Sequence, residues 1–402
     1  MKIEGNIMIS KNYKNTIYAC FIGYIVQAIV NNFVPLLFLT FQSQYGISLS
    51  KITMLVTFNF ALQLLIDLVS ISFVDRIGYR ASAVLAHVFS AAGFILLTFL
   101  PEVTKDPFHG ILIAVMVYAI GGGLLEVLIS SIVEACPTDN KERAMSLLHS
   151  FYCWGHVGVV FISTVFFAVV GIENWKLLAL LWAVVPVLNA LFFMRVPIAS
   201  LIAEDETGLS MKELFREKVF WIFMILMVCA GASEQAVSQW ASTFAEKGLG
   251  ISKTIGDLVG PMMFAVCMGT SRVLYGKYGE KVRLETFMIG STVLCMISYL
   301  LIVFVQAPVV GVIGCSLCGF SVGIMWPGTY SMASSRIKNG GTAMFAMMAL
   351  AGDLGCSGGP TLVGTVADLF SENLRIGIMA AIIFPVLLLT GIILVRASRK
   401  ER

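Results

Sequence analysis

The feature that most constrains this chain is a succession of twelve apolar stretches, each about as long as the twenty residues a helix needs to cross a bilayer. Their approximate limits are 17–41, 52–74, 81–100, 110–135, 144–170, 175–195, 219–243, 254–276, 284–305, 307–331, 341–368 and 374–396. Only 13% of the residues are charged, against 58% hydrophobic, and the mean hydropathy is +0.89. Soluble domains are about a quarter charged, so a soluble enzyme fold would lack the charge to cover its surface. The expected fold class is therefore an all-α polytopic membrane protein with twelve transmembrane helices, arranged as two six-helix half-repeats around a central cavity.

The ends and the cysteines fit this reading. Met1 to Thr16 is polar, and the first apolar run is too long for the hydrophobic region of a signal peptide, so it reads as the first span. The nine cysteines are scattered through apolar segments and read as small buried hydrophobes. Cys315 and Cys318 fall inside a span, where packing is the better reading than a metal or redox pair.

Most connections are short. The exception, Pro197 to Lys218, is polar, charged and central, with six spans on each side. This divides the chain into an N-terminal half (1–196), a central loop (197–218) and a C-terminal half (219–402). With the N-terminus inside, 20 of the 27 Lys and Arg residues fall on the inner side and 6 on the outer, with Arg272 left within span 8. That asymmetry follows the positive-inside rule for an even number of spans and places both termini and the central loop in the cytoplasm. The compact loops favour a bacterial inner membrane.

The halves repeat a charged turn. Asp75-Arg76-Ile77-Gly78-Tyr79-Arg80 follows span 2, and Gly276-Lys277-Tyr278-Gly279-Glu280-Lys281 follows span 8. Repeated turns at equivalent places suit a parallel-repeat transporter. A carboxylate there can pair with a neighbouring basic group or helix end and be released as the halves rock; the alternative is a solvated turn. Asp75-Arg76-x-Gly78-x-Arg80 resembles the signature between spans 2 and 3 of the major facilitator superfamily, with Ile71 at the usual glycine position. The resemblance extends over essentially the whole chain and implies the major facilitator fold, with transport by alternating access.

Four segments are also similar to the fucose permease-like (fucose–galactose–glucose:proton symporter) family. They are Gly121-x-Gly123-x-x-Glu126 in span 4, Met325-Trp326-Pro327 in span 10, Cys356 to Gly364 in span 11, and Asn31-Asn32-x-x-Pro35 in span 1. The resemblance implies that Glu126 serves sugar recognition and proton coupling. It also places Asn32, which cannot titrate, where the family carries an aspartate. The polar residue usual after the glutamate appears only as Ser130 or Ser131.

An ionisable group inside a span is a functional-site hypothesis by default. Glu126 leads because a carboxyl can take and release a proton, while a carboxylate accepts bonds from adjacent hydroxyls; a structural partner in a neighbouring helix is the alternative. His156, seven residues after His149 on span 5, could relay a proton. Gln27, Asn31 and Asn32 in span 1, with Gln63, offer further polar groups. Glu234, Gln235, Gln239 and Trp240 in span 7 fall on shared faces by the i, i+4 rule. Trp240 then reads either as a ring-stacking residue or as an anchor at the membrane interface. Trp326 is a candidate ring-stacking residue beside Pro327, which bends its helix and frees a carbonyl one turn back. Arg272 is expected to pair with Asp353 or Asp257, because an uncompensated charge is costly in the membrane. Asp75, Arg76, Gly78 and Arg80, with Pro327, complete the gating and structural candidates.

The function that follows is secondary transport of a small polar solute, with a monosaccharide implied by the resemblance. Proton coupling and facilitated diffusion both remain open. Export or import of a drug or nucleoside, and a non-transporting nutrient receptor on the same fold, are the alternatives. No nucleotide loop, zinc triad or nucleophile elbow is present in the sequence, which argues against an enzyme. No metal, cofactor or nucleic acid is expected. The expected partners are the solute and the bilayer, with protons added under the coupled alternative, and a monomer is expected.

Overall fold

The computed structural model describes residues 13–137, 141–198, 209, 211–278, 283–337 and 341–397. The side chains of Asp75, Arg76 and Glu134 lie outside that description, as does the repeated turn beyond Tyr278 and most of the central loop. The described chain is helical from end to end, with no strand among the described residues.

Among the described residues, eleven helical segments are long and apolar enough to cross a membrane: Lys14–Tyr45, Leu49–Ser70, Tyr79–Val103, Pro107–Val133, Leu147–Val170, Ile172–Phe193, Lys218–Gly248, Lys253–Tyr275, Leu284–Phe304, Pro308–Arg336 and Leu374–Ala397. In chain order these are spans 1 to 10 and span 12. Span 11 is the 29-residue helix Gly341–Leu369, whose apolar character is diluted by Asp353 and six glycines. Large apolar side chains stand exposed along the spans, among them Leu177, Leu181, Val184 and Leu188 of span 6. Such a row would be an aggregation hazard in water and is the expected surface against lipid tails.

Several expected continuous spans are broken, each at a residue with a physical reason. Span 1 runs as an α-helix to Asn32, passes through a 3-10 turn at Val34–Leu37 containing Pro35, and resumes at Phe38. Spans 7 and 8 each contain a five-residue π segment, at Phe244–Gly248 and at Leu258–Met262 around Pro261. Span 10 stops at Val322 and restarts at Met325, so Pro327 sits in a first turn, where its missing N–H is not needed.

The described residues fall into two compact units. The first comprises Met1–Phe33, Leu62–Val159 and Val170–Glu204; the second comprises Val34–Ala61, Val160–Val169 and Asp205–Arg402. In the first unit the core is built from Ile17, Cys20, Leu125, Ile129, Ile132 and Phe193, all buried. In the second, spans 7 and 11 meet backbone to backbone: a Cβ on Gly355 or Gly359 would stand 2.0 Å from Val228 O or 2.5 Å from Ala232 O.

Helix ends in both units are satisfied by arginine. The last carbonyls of a helix have no intrahelical donor and carry partial negative charge. Arg80 donates to Phe193 O and Met194 O at 2.9 and 2.8 Å, closing the end of span 6. Arg336 donates to Val395 O at 2.8 Å, and Arg375 to Ile302 O and Val305 O at 2.6 and 2.8 Å. Gly78, which joins spans 2 and 3, has φ +85°, a backbone conformation that side-chain-bearing residues rarely adopt. The nine cysteines are free, and all but the half-buried Cys267 are buried.

Candidate transport site

In the first unit, three consecutive glycines let neighbouring helices close on span 4. A Cβ at Gly121 would stand 2.3 Å from Ser90 Oγ and 2.5 Å from Ala86 O of span 3. On the other side, a Cβ at Gly123 would stand 2.9 Å from the backbone oxygen of Gln63, and one at Gly122 would be 3.0 Å from Gln63 Oε1. No residue larger than glycine fits these contacts without a shift. The consequence is local: Gln63 of span 2 is carried to the level of Glu126, one turn further along span 4.

A hydrogen-bonded group results. Gln27 Nε2 donates to Gln63 Oε1 at 3.1 Å and reaches Glu126 Oε2 at 3.2 Å. Gln63 Nε2 donates to Asn31 Oδ1 at 2.9 Å. Gln27 is 2% exposed, whereas Glu126 is half-buried. One turn along, Tyr24 Oη and Ser130 Oγ share a hydrogen bond of 2.8 Å, and the His149 ring lies 5.3 Å from that of Tyr24. Three amides, a carboxylate and two hydroxyls thus face one another where spans 1, 2 and 4 meet, with donors and acceptors of both kinds.

The second unit holds a second polar group. Gln239 Nε2 donates to Gln235 Oε1 at 3.0 Å, and Gln235 Nε2 donates to Glu234 Oε1 at 3.2 Å. Glu234 is 9% exposed and lies 3.9 Å from the Arg272 guanidinium, which donates through Nε to Gly323 O at 3.0 Å. The Trp326 ring lies over Gly352 of span 11, where a Cβ would stand 2.1 Å from its Cη2. Trp326 is half-buried, so part of its indole remains uncovered.

The family model of the Major Facilitator Superfamily matches residues 19–360. The chain belongs to the major facilitator superfamily. It is therefore a membrane transporter and not an enzyme. A search of curated proteins returns no match. Among solved structures, a bacterial homologue of the human lysosomal transporter Spinster, inward-facing and occupied, has a TM-score of 0.78 at 14% identity, covering 96% of this chain and 98% of the other. A D-xylose–proton symporter has a TM-score of 0.76 at 15% identity, covering 96% and 97%. A variant of the E. coli fucose:proton symporter FucP has a TM-score of 0.66 at 15% identity, covering 96% and 99%. These likenesses share the major facilitator fold.

Within this major facilitator protein the structure gathers some of the expected residues and separates others. Gln27, Asn31 and Glu126 come together, joined by Gln63. Asn32 turns aside: its amide donates to Ala28 O at 2.9 Å and lies 3.4 Å from Tyr152 Oη. The histidine near the polar groups is His149; His156, expected as the relay, is 2% exposed and two turns away along the helix. Tyr24 and Tyr152 were not expected from sequence. Both lie in apolar runs, and only their spacing of three from Gln27 and His149 hinted at a shared face.

Trp240 is corrected outright. It is 0% exposed, donates Nε1 to Pro360 O at 3.0 Å and packs 5.4 Å from the Phe38 ring. An indole enclosed on all sides neither stacks on a solute nor anchors at an interface. Asp257 is likewise not the partner of Arg272. It is taken by Lys253 at 2.9 Å and by Ser242 Oγ at 2.5 Å, because Lys253 sits one turn before it on the same helix. Glu234, an acid not expected beside Arg272, lies 3.9 Å from its guanidinium, and Asp353, the other expected partner, is buried in span 11. Gly78 and Arg80 serve helix geometry and capping.

Proposed function

We propose that this transporter carries a monosaccharide by alternating access and that Glu126 takes and releases a coupling proton. The observation that carries the reading is the Gln27–Gln63–Asn31–Glu126 group. Adjacent sugar hydroxyls each donate and accept, and amides and carboxylates are the side chains that answer both demands. A site built to hydrogen-bond hydroxyls rejects analogues lacking them, because its own buried polar groups are then left unpaired. The D-xylose–proton and fucose:proton symporters that share this fold support the same solute class and coupling. Within the second unit, the Trp326 indole offers an apolar face that suits a sugar ring, and Glu234, Gln235 and Gln239 offer polar groups of their own.

In this reading residues 1–196 and 219–402 are the two moving halves and 197–218 joins them. The excess of Lys and Arg on one side supports cytoplasmic termini, and the compact loops support the inner membrane of a bacterium. A second reading, facilitated diffusion without protons, is favoured by one observation. Asn32 stands where the resembled family carries a second acid, and its amide is engaged with Ala28 O.

Counterflow in proteoliposomes tests the solute class. L-fucose, D-galactose, D-glucose and D-xylose would be compared with a nucleoside and a lipophilic cation. Exchange of one or more monosaccharides alone supports the proposal. Exchange of the nucleoside or the cation with no sugar signal overturns it.

A further inference from the structure

Span 10 contains a break whose freed carbonyl is held by a side chain from another span. In an unbroken helix the residue at 327 would donate its N–H to the carbonyl of residue 323. Pro327 has no N–H, and Gly323 O instead accepts from Arg272 Nε at 3.0 Å. The two backbones come close enough for this because residue 323 is glycine: a Cβ there would stand 2.7 Å from Met268 O. The same guanidinium presents Nη2 to Glu234 Oε2 at 3.9 Å, beyond hydrogen-bond distance and within strong Coulombic reach. An Arg–carboxylate hydrogen bond closes to about 2.8 Å. Closing the Nη2–Oε2 gap from 3.9 Å therefore needs a shift of about 1 Å between the two side chains.

We propose that Arg272 is a positioning residue that transmits the state of the Glu234 carboxylate to the break at Gly323–Pro327. With Glu234 at 3.9 Å, Arg272 fastens the freed carbonyl of Gly323. A change at Glu234, whether a hydroxyl donated to it or loss of its charge, alters how firmly the guanidinium is held and so how freely span 10 bends. Trp326 lies in the first turn after the break, next to Pro327, so bending moves the indole against its seat on Gly352. Glu234 and Trp326, read above as parts of a solute site, are thereby linked through Arg272. The functional meaning of the link rests on that reading; the link itself does not.

The test needs no solute. Amide hydrogen exchange is measured by mass spectrometry on the purified full chain in nanodiscs, following the peptide that contains Gly328 to Tyr330. Arg272→Met removes the donor and should speed exchange there about tenfold, the effect of losing one charge-assisted hydrogen bond. Glu234→Gln, which keeps the shape and removes the charge, should change exchange in the same peptide and in few others. Pro327→Ala restores a backbone donor for Gly323 O, so Arg272→Met in that background should exchange at the rate of Pro327→Ala alone. The proposal is overturned if Arg272→Met leaves this peptide unchanged or speeds exchange evenly through the second unit. It is also overturned if Pro327→Ala fails to suppress the effect or if Glu234→Gln has none. Failure of every sugar in counterflow with the expected exchange pattern present would instead remove the sugar reading and leave the link standing.

Discussion

A single amide nitrogen, Gln27 Nε2, is placed 3.2 Å from Glu126 Oε2 and 3.1 Å from Gln63 Oε1, so one donor from span 1 serves acceptors on spans 4 and 2. An –NH2 group has two protons and can meet both. In the proposed reading a solute hydroxyl that displaces one of these contacts must replace it, and Gln27 then acts in recognition. Gln27→Leu is expected to raise KM for the transported sugar about tenfold or more, with a smaller effect on the maximal rate, since a hydrogen bond to a charged group contributes about 1.5–3 kcal/mol. Initial-rate uptake measured against sugar concentration gives both quantities.

The glycines before Glu126 are expected to be intolerant of side chains for steric reasons. Gly121→Val places new atoms against Ser90 and the Ala86 carbonyl, a backbone that cannot swing aside. Overpacking costs about 1–3 kcal/mol even for a small insertion, and thermal unfolding in detergent should begin about 5 °C lower or more. Gly158→Ala is the control: a Cβ there meets nothing within 4 Å, and the transition should not move.

The two tryptophans assigned opposite fates should separate cleanly. Trp240→Phe loses the bond to Pro360 O in a sealed environment and should lower thermal stability while leaving KM for sugar unchanged. Trp326→Leu should raise KM several-fold with little loss of stability, because its ring is only half-buried. Equal effects of both on KM would remove Trp326 from the solute site.

Arg80 is expected to act on stability alone. Arg80→Gln removes the charge that closes the end of span 6 at Phe193 O and Met194 O. A cation at a helix C-terminus contributes about 1 kcal/mol, or about 2–4 °C in the unfolding temperature. Sugar KM should stay at the wild-type value.

What could be read from sequence follows from the length scale of each interaction. The spans were legible because twenty apolar residues in a row have few other uses, and the Gly121-x-Gly123-x-x-Glu126 spacing pointed to a crowded helix carrying an acid. The breaks at Pro35, Pro261 and Gly323 were less legible, since a proline marks a bend without saying how the chain resumes. Pairings across spans were not legible. Arg272 had several acids within reach along the sequence, and its approach to Glu234 depends on rotations about helix axes that no local pattern reports. Trp240 misled for the same reason: an indole near a helix end serves an interface, a ring site or a core depending on which helix lies beside it.

The most direct test of the account joins its two claims about Glu126. Sealed proteoliposomes in a weakly buffered medium that contains a pH indicator, without an imposed gradient, receive the sugar identified by counterflow, and external pH is followed for wild type and Glu126→Gln. The account predicts sugar-driven alkalinisation outside the wild-type vesicles, abolished in Glu126→Gln. Sugar entry with no pH change in wild type, or a pH change that survives Glu126→Gln, would contradict it.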